Sequence, residues 1–455
     1  MMNKSAAYMC EGPLTKKIIL YAIPVILTGV LQLLFNAADL VIVGRFCGSL
    51  SVAAVGATGA LINLIVTVFI GLSVGAGVLV AQGIGAGNRD DVYRTVHTAI
   101  PSAVIGGLVL TVVGASCARL FLTWMGTQPD VIDKSVIYMQ IYFCGMAGGM
   151  VYNFGASILR AAGDIRSPLV FLSAAGVLNV LLNVVFVMAL HLDVAGVALA
   201  TVISQTVSAA LVTLALTKRE DMCRLFLRDI KIYPKHLAAM VRIGLPAGIQ
   251  GAMFSISNVL IQSSVNSFGS VAMSGNAAAG NIEGFVYMSM NAFQQTSTNF
   301  VGQNYGAKLY PRIRRITLIC LISVAVVGAG LGNLAYLFSE PLLHIYITDS
   351  AEAIRIGMLR MSIISTLYFL DGIMEVMTGT LRGMGKSALP RAVTVLGVCV
   401  FRVVWIFTVF RIPAYHSLTT VYVSYPITWI LTFTVELIAF LFIMRKLKTK
   451  PRTEI

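Results

Sequence analysis

The sequence predicts an all-α integral membrane protein with twelve transmembrane helices in two parallel six-helix repeats, related by a pseudo-twofold axis along the membrane normal. Three observations carry this expectation. Only 11% of the 455 residues are charged and 57% are hydrophobic, with a mean hydropathy of +0.85. A soluble domain carries about 25% charged residues, so this surface must face lipid. Apolar runs of the length that spans a bilayer, about 20 residues, recur along the whole chain. Landmarks in the first half also return in the second at a fixed offset, the mark of an internal repeat.

The runs fall at 18–43, 53–83, 95–122, 135–159, 168–190, 194–217, 238–268, 272–302, 313–338, 353–380, 389–410 and 419–444. Several are longer than a straight span requires, so tilts or kinks are expected. Pro24 and Pro246 are the expected kink sites, since each lies inside a run and lacks a backbone donor. "LRAAGDIRSP" (159–168) and "LRGMGKSALP" (381–390) share Leu-Arg, a Gly three residues after the Arg and a Pro eight after it, at an offset of 222. Ile23-Pro24 and Leu245-Pro246 keep that offset, and Gln82-x-x-Gly85-Ala86 returns as Gln303-x-x-Gly306-Ala307 at 221. Six spans is an even number, so both halves enter from the same side, an arrangement found in alternating-access transporters. The expected domains are 1–217, a charged cytoplasmic linker at 218–237, and 238–455 with a basic tail. Within the repeated loop, Gly163 and Gly385 suit a helix end, and Pro168 and Pro390 suit the start of the next helix. Arg160 and Arg382 are expected to reach headgroups or helix-end carbonyls.

The net charge of +14 is distributed by side. With a cytoplasmic N-terminus, 26 Lys and Arg fall on the cytoplasmic side and five (Arg45, Arg119, Lys134, Arg355, Arg411) on the other, while Arg360 and Arg402 lie within runs. This is the positive-inside pattern, and it puts both termini in the cytoplasm of a plasma membrane. The tail "RKLKTKPR" reads as a headgroup anchor rather than a nucleic-acid site. Seven scattered cysteines, with no CxxC, read as buried free thiols. No nucleophile elbow, metalloprotease helix or phosphate loop is present, and "AQGIGAGN" lacks a βαβ context. A removed signal peptide is not expected. The protein is not expected to be an enzyme.

Asp39, in "FNAADLVIVGR", is the residue that most needs explaining, because a carboxylate at the centre of a membrane helix costs about 3 kcal/mol on insertion scales. At 100° per residue Gln32, Asn36 and Asp39 form one polar stripe. Asn179 and Asn183 share a face of the fifth run, and Thr201 lies at similar depth on the sixth. This oxygen-rich, charge-poor set suits a proton on Asp39 or a hard monovalent cation such as Na⁺; alternatively, the amides simply satisfy a buried acid. In the eighth run Asn276, Gly280, Glu283, Tyr287, Asn291, Gln294 and Thr298 recur in steps of three and four, one helix face that should line a cavity. Asp371 and Glu375 lie at i,i+4, while Glu436 has no evident partner. Twenty methionines and abundant Tyr and Phe, with Met146, Met150, Tyr138 and Tyr142 as examples, would suit a pliable pocket for apolar cations, but most of the methionines read as packing. Tyr142 and Tyr287 are candidate pocket aromatics.

The sequence resembles the multidrug and toxic compound extrusion (MATE) family of cation-coupled exporters. The likeness rests on "NAADLVIVGRFCG", "AQGIGAG", the paired "LRAAGD" and "LRGMG" loops, and "DVAGVALATVISQ", and covers about residues 15–445. It implies two six-helix lobes flanking a cavity open alternately to each side, and export of amphipathic, usually cationic, molecules driven by inward Na⁺ or H⁺. Asp39 matches the family's helix 1 acid, Asn179 its helix 5 amide and Thr201 its helix 6 hydroxyl. Asn183 departs, standing where a second acid is common. Asp371, eleven residues before Arg382, matches the acid of the Na⁺-site branch, but the helix 7 Glu of that branch has no counterpart in "GAMFSISN".

The expected function is therefore secondary active efflux of organic cations by a monomer in the lipid bilayer, with no cofactor. The coupling ion is H⁺ in preference to Na⁺, because only one ligand of the Asp39 set carries charge. Glu283, Asp371 and Glu375 are expected to neutralise cationic cargo, with intramembrane Arg and Lys nearly absent. The alternatives are a lipid-linked precursor flippase of the same superfamily, which would need a strongly positive cavity, and a channel or receptor scaffold.

Overall fold

The computed structural model describes residues 9–347 and 350–448; residues 449–452 of the basic tail lie outside them. Its helices are α1 (Leu14–Phe46), α2 (Ser49–Ala86), α3 (Arg89–Trp124), α4 (Pro129–Cys144), α5 (Met146–Ala161), α6 (Arg166–Asn183) and α7 (Asp193–Thr217) in the first half. The second half holds α8 (Pro234–Asn266), α9 (Ser270–Gly306), α10 (Tyr310–Leu337), the short α11 (Ser339–His344), α12 (Ala351–Ile363), α13 (Tyr368–Gly383), α14 (Ala388–Thr394), α15 (Phe401–Phe407) and α16 (Leu418–Lys448). Each of the twelve expected spans is helical. Nine described helices are long and apolar enough to cross a membrane, and the bent α12–α13 pair makes ten. The other two spans have identifiable reasons for falling short. Gly145 interrupts the fourth span between α4 and α5. The 37 residues of α9 carry the polar stripe seen in the sequence.

The repeat is visible in the breaks. The pair α4–α5 runs from 129 to 161 and the pair α12–α13 from 351 to 383, both bounds offset by 222. Pro24 and Pro246, the expected kink sites, are carried inside continuous helices. A 50° bend separates α12 from α13, where there is no proline. There the Thr366 hydroxyl takes the Ser362 carbonyl at 2.6 Å and Thr366 N reaches back five residues to Met361 O, so side-chain competition opens the ladder. The fifth span of each half contains a π-helical stretch, Val184–Ala189 and Val395–Val400.

The repeated loops close as expected. Gly163 (φ 89°) and Gly385 (φ 75°) adopt left-handed backbone, with Asp164 N bonded to Leu159 O and Lys386 N to Leu381 O. This six-to-one closure satisfies the last carbonyls of α5 and α13. Of the two roles expected of Arg382, the headgroup one does not hold. Arg382 is only 9% exposed, and its charge acts on Glu375 and Glu436 rather than reaching headgroups. At the start of α7, Asp193 of "DVAGVALATVISQ" also has a left-handed backbone. Its carboxylate accepts from Ser51 Oγ at 2.6 Å and Lys134 Nζ at 2.7 Å, tying together α2, α4 and α7.

Two compact units divide the described chain: unit 1 holds Leu27–Ala252, and unit 2 holds Met9–Ile26 with the chain from Met253 onward. These are not the halves 1–217 and 238–455 expected from the repeat, and contacts within each unit explain the difference. In unit 1, α2 meets the start of α8 through small residues. A Cβ on Gly71 would strike Gly248, and one on Gly248 would strike the Val68 carbonyl. Backbones approach this closely only where side chains are missing. In unit 2, the start of α1 packs on α9. Asn299 Nδ2 donates to Tyr21 Oη at 2.9 Å, Tyr21 meets Phe300 edge-on at 5.4 Å, and Asn304 Nδ2 donates to Met9 O at 3.0 Å.

The 218–237 segment is laid against unit 1 instead of hanging as a tether. Phe226 N donates to His97 Nε2 at 3.0 Å and Tyr233 N to Thr98 Oγ1 at 3.1 Å. Burial there, reinforced by Asp221, pushes the Cys223 thiol up to about 12. The expectation of uniformly buried thiols holds for Cys223, Cys320 and Cys399 but not for Cys144, which is exposed at the α4–α5 break.

The α2–α8 approach gives a direct prediction. Gly248→Val should lower stability by about 2 kcal/mol through overpacking, read as a drop in melting temperature in detergent. Gly56→Ala, where a Cβ meets nothing within 4 Å, should leave the melt unchanged.

Candidate functional site

In unit 1, the approach of α1 to α6 is set by one glycine. Gly176 has no side chain, and the Phe35 ring fills the place a Cβ would take. Asp39 lies one turn beyond Phe35, while Asn179 and Asn183 follow Gly176 on its own helix face at i+3 and i+7. The close approach therefore delivers Asp39 to the two amides. Asn183 Nδ2 donates to Asp39 Oδ1 at 2.6 Å. The surroundings orient the Asn179 amide with its nitrogen 2.7 Å from Asp39 Oδ1 and its oxygen 3.3 Å from Thr201 N. Thr201 Oγ1 itself donates to Val197 O at 3.0 Å. Asn183 is fully buried, yet its Oδ1 has no hydrogen-bond partner. Tyr142 stacks on Tyr138 at 6.0 Å, its hydroxyl engages Gln205, and both phenols feel the Asp39 charge.

Two sequence candidates stay outside this set. Gln32 and Asn36 are exposed, and no hydrogen bond joins either to Asp39 among the described residues. They share its helix face, Asn36 one turn and Gln32 two turns before it, but both side chains are turned to the exposed surface. Immediately after Asn183 the helix widens into the π stretch Val184–Ala189, a feature that often marks functional positions.

Unit 2 contains the α9 stripe, and it is not an open cavity wall. Asn276, Glu283, Gln294 and Thr298 are buried, and Tyr287 and Asn291 half-buried. The stripe is a seam against α12 and α13. Gln294 Nε2 donates to Glu375, Thr298 Oγ1 donates to Gly379 O at 3.1 Å, and Asn291 Oδ1 accepts from Gln295 at 2.7 Å. The Tyr287 hydroxyl engages Asn291 and faces Asp371 and Glu375. Glu283, expected to meet cationic cargo, already has a cation. Arg360 reaches it with Nη2 at 2.6 Å and Nε at 3.1 Å, and with Nη1 donates to Asn276 Oδ1 at 2.6 Å. Asn276 in turn donates to Gln262 Oε1 at 2.7 Å. The Arg360 guanidinium lies 5.8 Å from the Tyr422 ring centroid and 5.9 Å from that of Tyr425. Glu436, solitary in the sequence, accepts from Thr378 at 2.9 and 3.1 Å and engages Thr394. Unit 2 thus buries its acids among arginines and hydroxyls.

A family model described as MatE matches residues 24–185 and again residues 246–408. The two matches begin 222 residues apart, so each sequence half carries one copy, and together they cover most of the chain. The chain belongs to the MatE family. It is a multi-pass membrane transporter, not an enzyme, within a family of multidrug efflux proteins that need no cofactor. Among relatives, the "Probable multidrug resistance protein YoeA" of Bacillus subtilis is 27% identical over 83% of each chain. The "Probable multidrug resistance protein NorM" of Thermotoga maritima is 26% identical over 84% of this chain and 83% of its own. A solved MOP superfamily transporter from Pyrococcus furiosus shares the fold with a TM-score of 0.91, at 20% identity over 98% of this chain and 99% of that one.

In this MatE chain the structure brings Asp39, Asn179, Asn183 and Thr201 together as the sequence predicts. The partnership of Arg360 and Arg402 with the buried acids is not evident from the sequence pattern. Their positions inside apolar runs were the available signal, since an intramembrane arginine needs a counterpart.

The Arg360–Glu283 pair predicts a non-additive result. Arg360→Gln strands the buried carboxylate and should cost about 3 kcal/mol, read as a lower melting temperature. R360Q with E283Q should recover most of that loss. Equal melts for the single and double variants would show that the two charges do not depend on each other.

Proposed function

We propose that the protein exports small amphipathic organic cations by alternating access in exchange for protons, and that Asp39 is the coupling acid. The observation that carries this reading is the company Asp39 keeps: among the described residues it meets neutral amides and phenols, and no arginine or lysine is paired with it. A carboxylate so placed favours a cation, whether a proton or positively charged cargo, and the two compete for one charge. Ionised Asp39 accepts from Asn183 and Asn179. A protonated Asp39 has an O–H to donate, and Asn183 Oδ1 is a buried acceptor still without a partner. Protonation therefore releases the cargo's countercharge and rearranges the amides that join α1 to α6. Sodium would find one charged ligand, amide oxygens and the Thr201 hydroxyl, while the exposed Asn36 makes no hydrogen bond to Asp39 among the described residues.

Cationic cargo is supported by Asp39 rather than by the unit 2 acids, because Arg360 already offsets Glu283. The names of the multidrug resistance relatives favour varied organic substrates. The split of 26 basic residues against five supports cytoplasmic termini in a plasma membrane. Both six-span halves lie in one chain, which supports a working monomer.

The test is efflux of a fluorescent organic cation from proteoliposomes under an imposed pH gradient without Na⁺. Native protein should transport, and Asp39→Asn should slow it about tenfold or more. Full activity in the variant, a strict need for Na⁺ at fixed pH, or a leak indifferent to the gradient would overturn the proposal.

A further inference from the structure

Unit 2 holds a second pair of opposite charges that the exchange reaction at Asp39 does not use. Arg402, at the start of α15, is 2% exposed. Its Nε donates to Thr428 Oγ1 at 3.1 Å, and its guanidinium lies 4.0 Å over the Tyr425 ring. Its Nη2 has no hydrogen-bond partner, and it makes no direct ion pair among the described residues. Asp371, on α13, is 6% exposed, and its Oδ2 is equally without a partner.

The two residues belong to one aromatic cluster. Tyr368, one turn before Asp371, meets Trp429 at 5.4 Å, Trp429 meets Tyr425 at 6.0 Å, and Tyr425 carries Arg402 on its face. Across this cluster the Arg402 charge acts on Asp371 and the Asp371 charge on Arg402. A lone ion in this setting is costly to bury, and two opposite ones offset each other without touching. Glu375, one turn on from Asp371, adds a like charge on which Arg382 acts in turn, and a buried carboxylate with an unsatisfied oxygen would attract a small metal cation. A permanently charged guanidinium nearby repels that cation and supplies the balancing charge itself.

We infer that Arg402 is a tethered cation that balances Asp371 and sets the ion specificity of unit 2, keeping Na⁺ off Asp371. The Na⁺ response of unit 2 is then hidden in the native protein and uncovered by removing one side chain. The inference rests on the proposed exchange reaction and deepens it, because it takes Asp371 out of competition with Asp39 for an external cation. Its test needs no transport, so the two can fail separately.

The measurement is Na⁺-dependent stabilisation of the purified full-length protein in detergent. Melting temperatures are recorded as Na⁺ replaces choline at constant ionic strength. Native protein and Asp371→Asn should respond alike. Arg402→Gln should gain a Na⁺-dependent rise with an apparent affinity on the order of tenfold or more above native. R402Q with D371N should lose that gain, and Arg402→Lys, which keeps the charge, should behave as native. A purely structural role for Arg402 would lower every melt equally and leave the Na⁺ response unmoved. Three results would overturn the inference: a native Na⁺ response that Asp371→Asn abolishes, a folded Arg402→Gln protein that gains none, or a gain that survives in the double variant. Should Arg402→Gln fail to fold, native, Asp371→Asn and Arg402→Lys still decide the matter by whether any Na⁺ response depends on Asp371.

Discussion

A carboxylate buried in an apolar surrounding must be offset, and in unit 1 Asp39 is offset by amide dipoles alone. Much of the local architecture follows from that constraint. Amide donors are weaker partners than a guanidinium, so they must be close and correctly aimed, and this demands that α1 and α6 nearly touch. Phe35 seated on Gly176 provides the approach. Asn179 and Asn183, spaced one turn apart on the same face, provide the donors. Full burial of Asn183 leaves one acceptor spare, so the site is satisfied for a charged carboxylate and also prepared for a neutral one. A group that is stable in two protonation states is what a coupling site requires.

Unit 2 solves the same problem in the opposite way. Its acids meet arginines: Glu283 directly through Arg360, Asp371 at a distance through Arg402, and Glu375 alongside Arg382 and Gln294. Buried ion pairs contribute little net stability but penalise any rearrangement that separates them. The α9 stripe, read alone, looks like a wet surface. Matched against α12 and α13 it is a polar seam that fixes the register of three helices. The two units thus differ in how their buried acids are held: Asp39 by amides, and Glu283, Asp371 and Glu375 with arginines acting on them.

The helical plan was legible because lipid leaves few options. Apolar run length, the 222-residue offset and the side preference of Lys and Arg each report a constraint that acts locally on sequence. The Gly163 and Gly385 turns were legible for the same reason, since a left-handed residue at a helix end calls for glycine. Asp39, Asn179, Asn183 and Thr201 were legible because helix periodicity fixes a face and span order fixes a depth. What periodicity cannot supply is the identity of the facing helix. Glu283 and Arg360 are 77 residues apart, and no pattern within either run points to the other. The bend between α12 and α13 was hidden for a related reason. The 50° bend near Thr366 arises from hydroxyl competition for carbonyls, which depends on rotamers that sequence does not specify. The division into units was hidden likewise, because it rests on the Gly71–Gly248 approach and the Tyr21–Asn299 hydrogen bond.

We propose that proton and cargo compete for the carboxylate of Asp39. The most direct measurement is the number of protons exchanged when a quaternary organic cation binds the detergent-purified protein, obtained by calorimetry in buffers of differing ionisation enthalpy. The account predicts release of about one proton per cation bound by native protein at a pH where Asp39 is protonated, and none by Asp39→Asn. Binding without proton release in the native protein, or the same release in the variant, would contradict it.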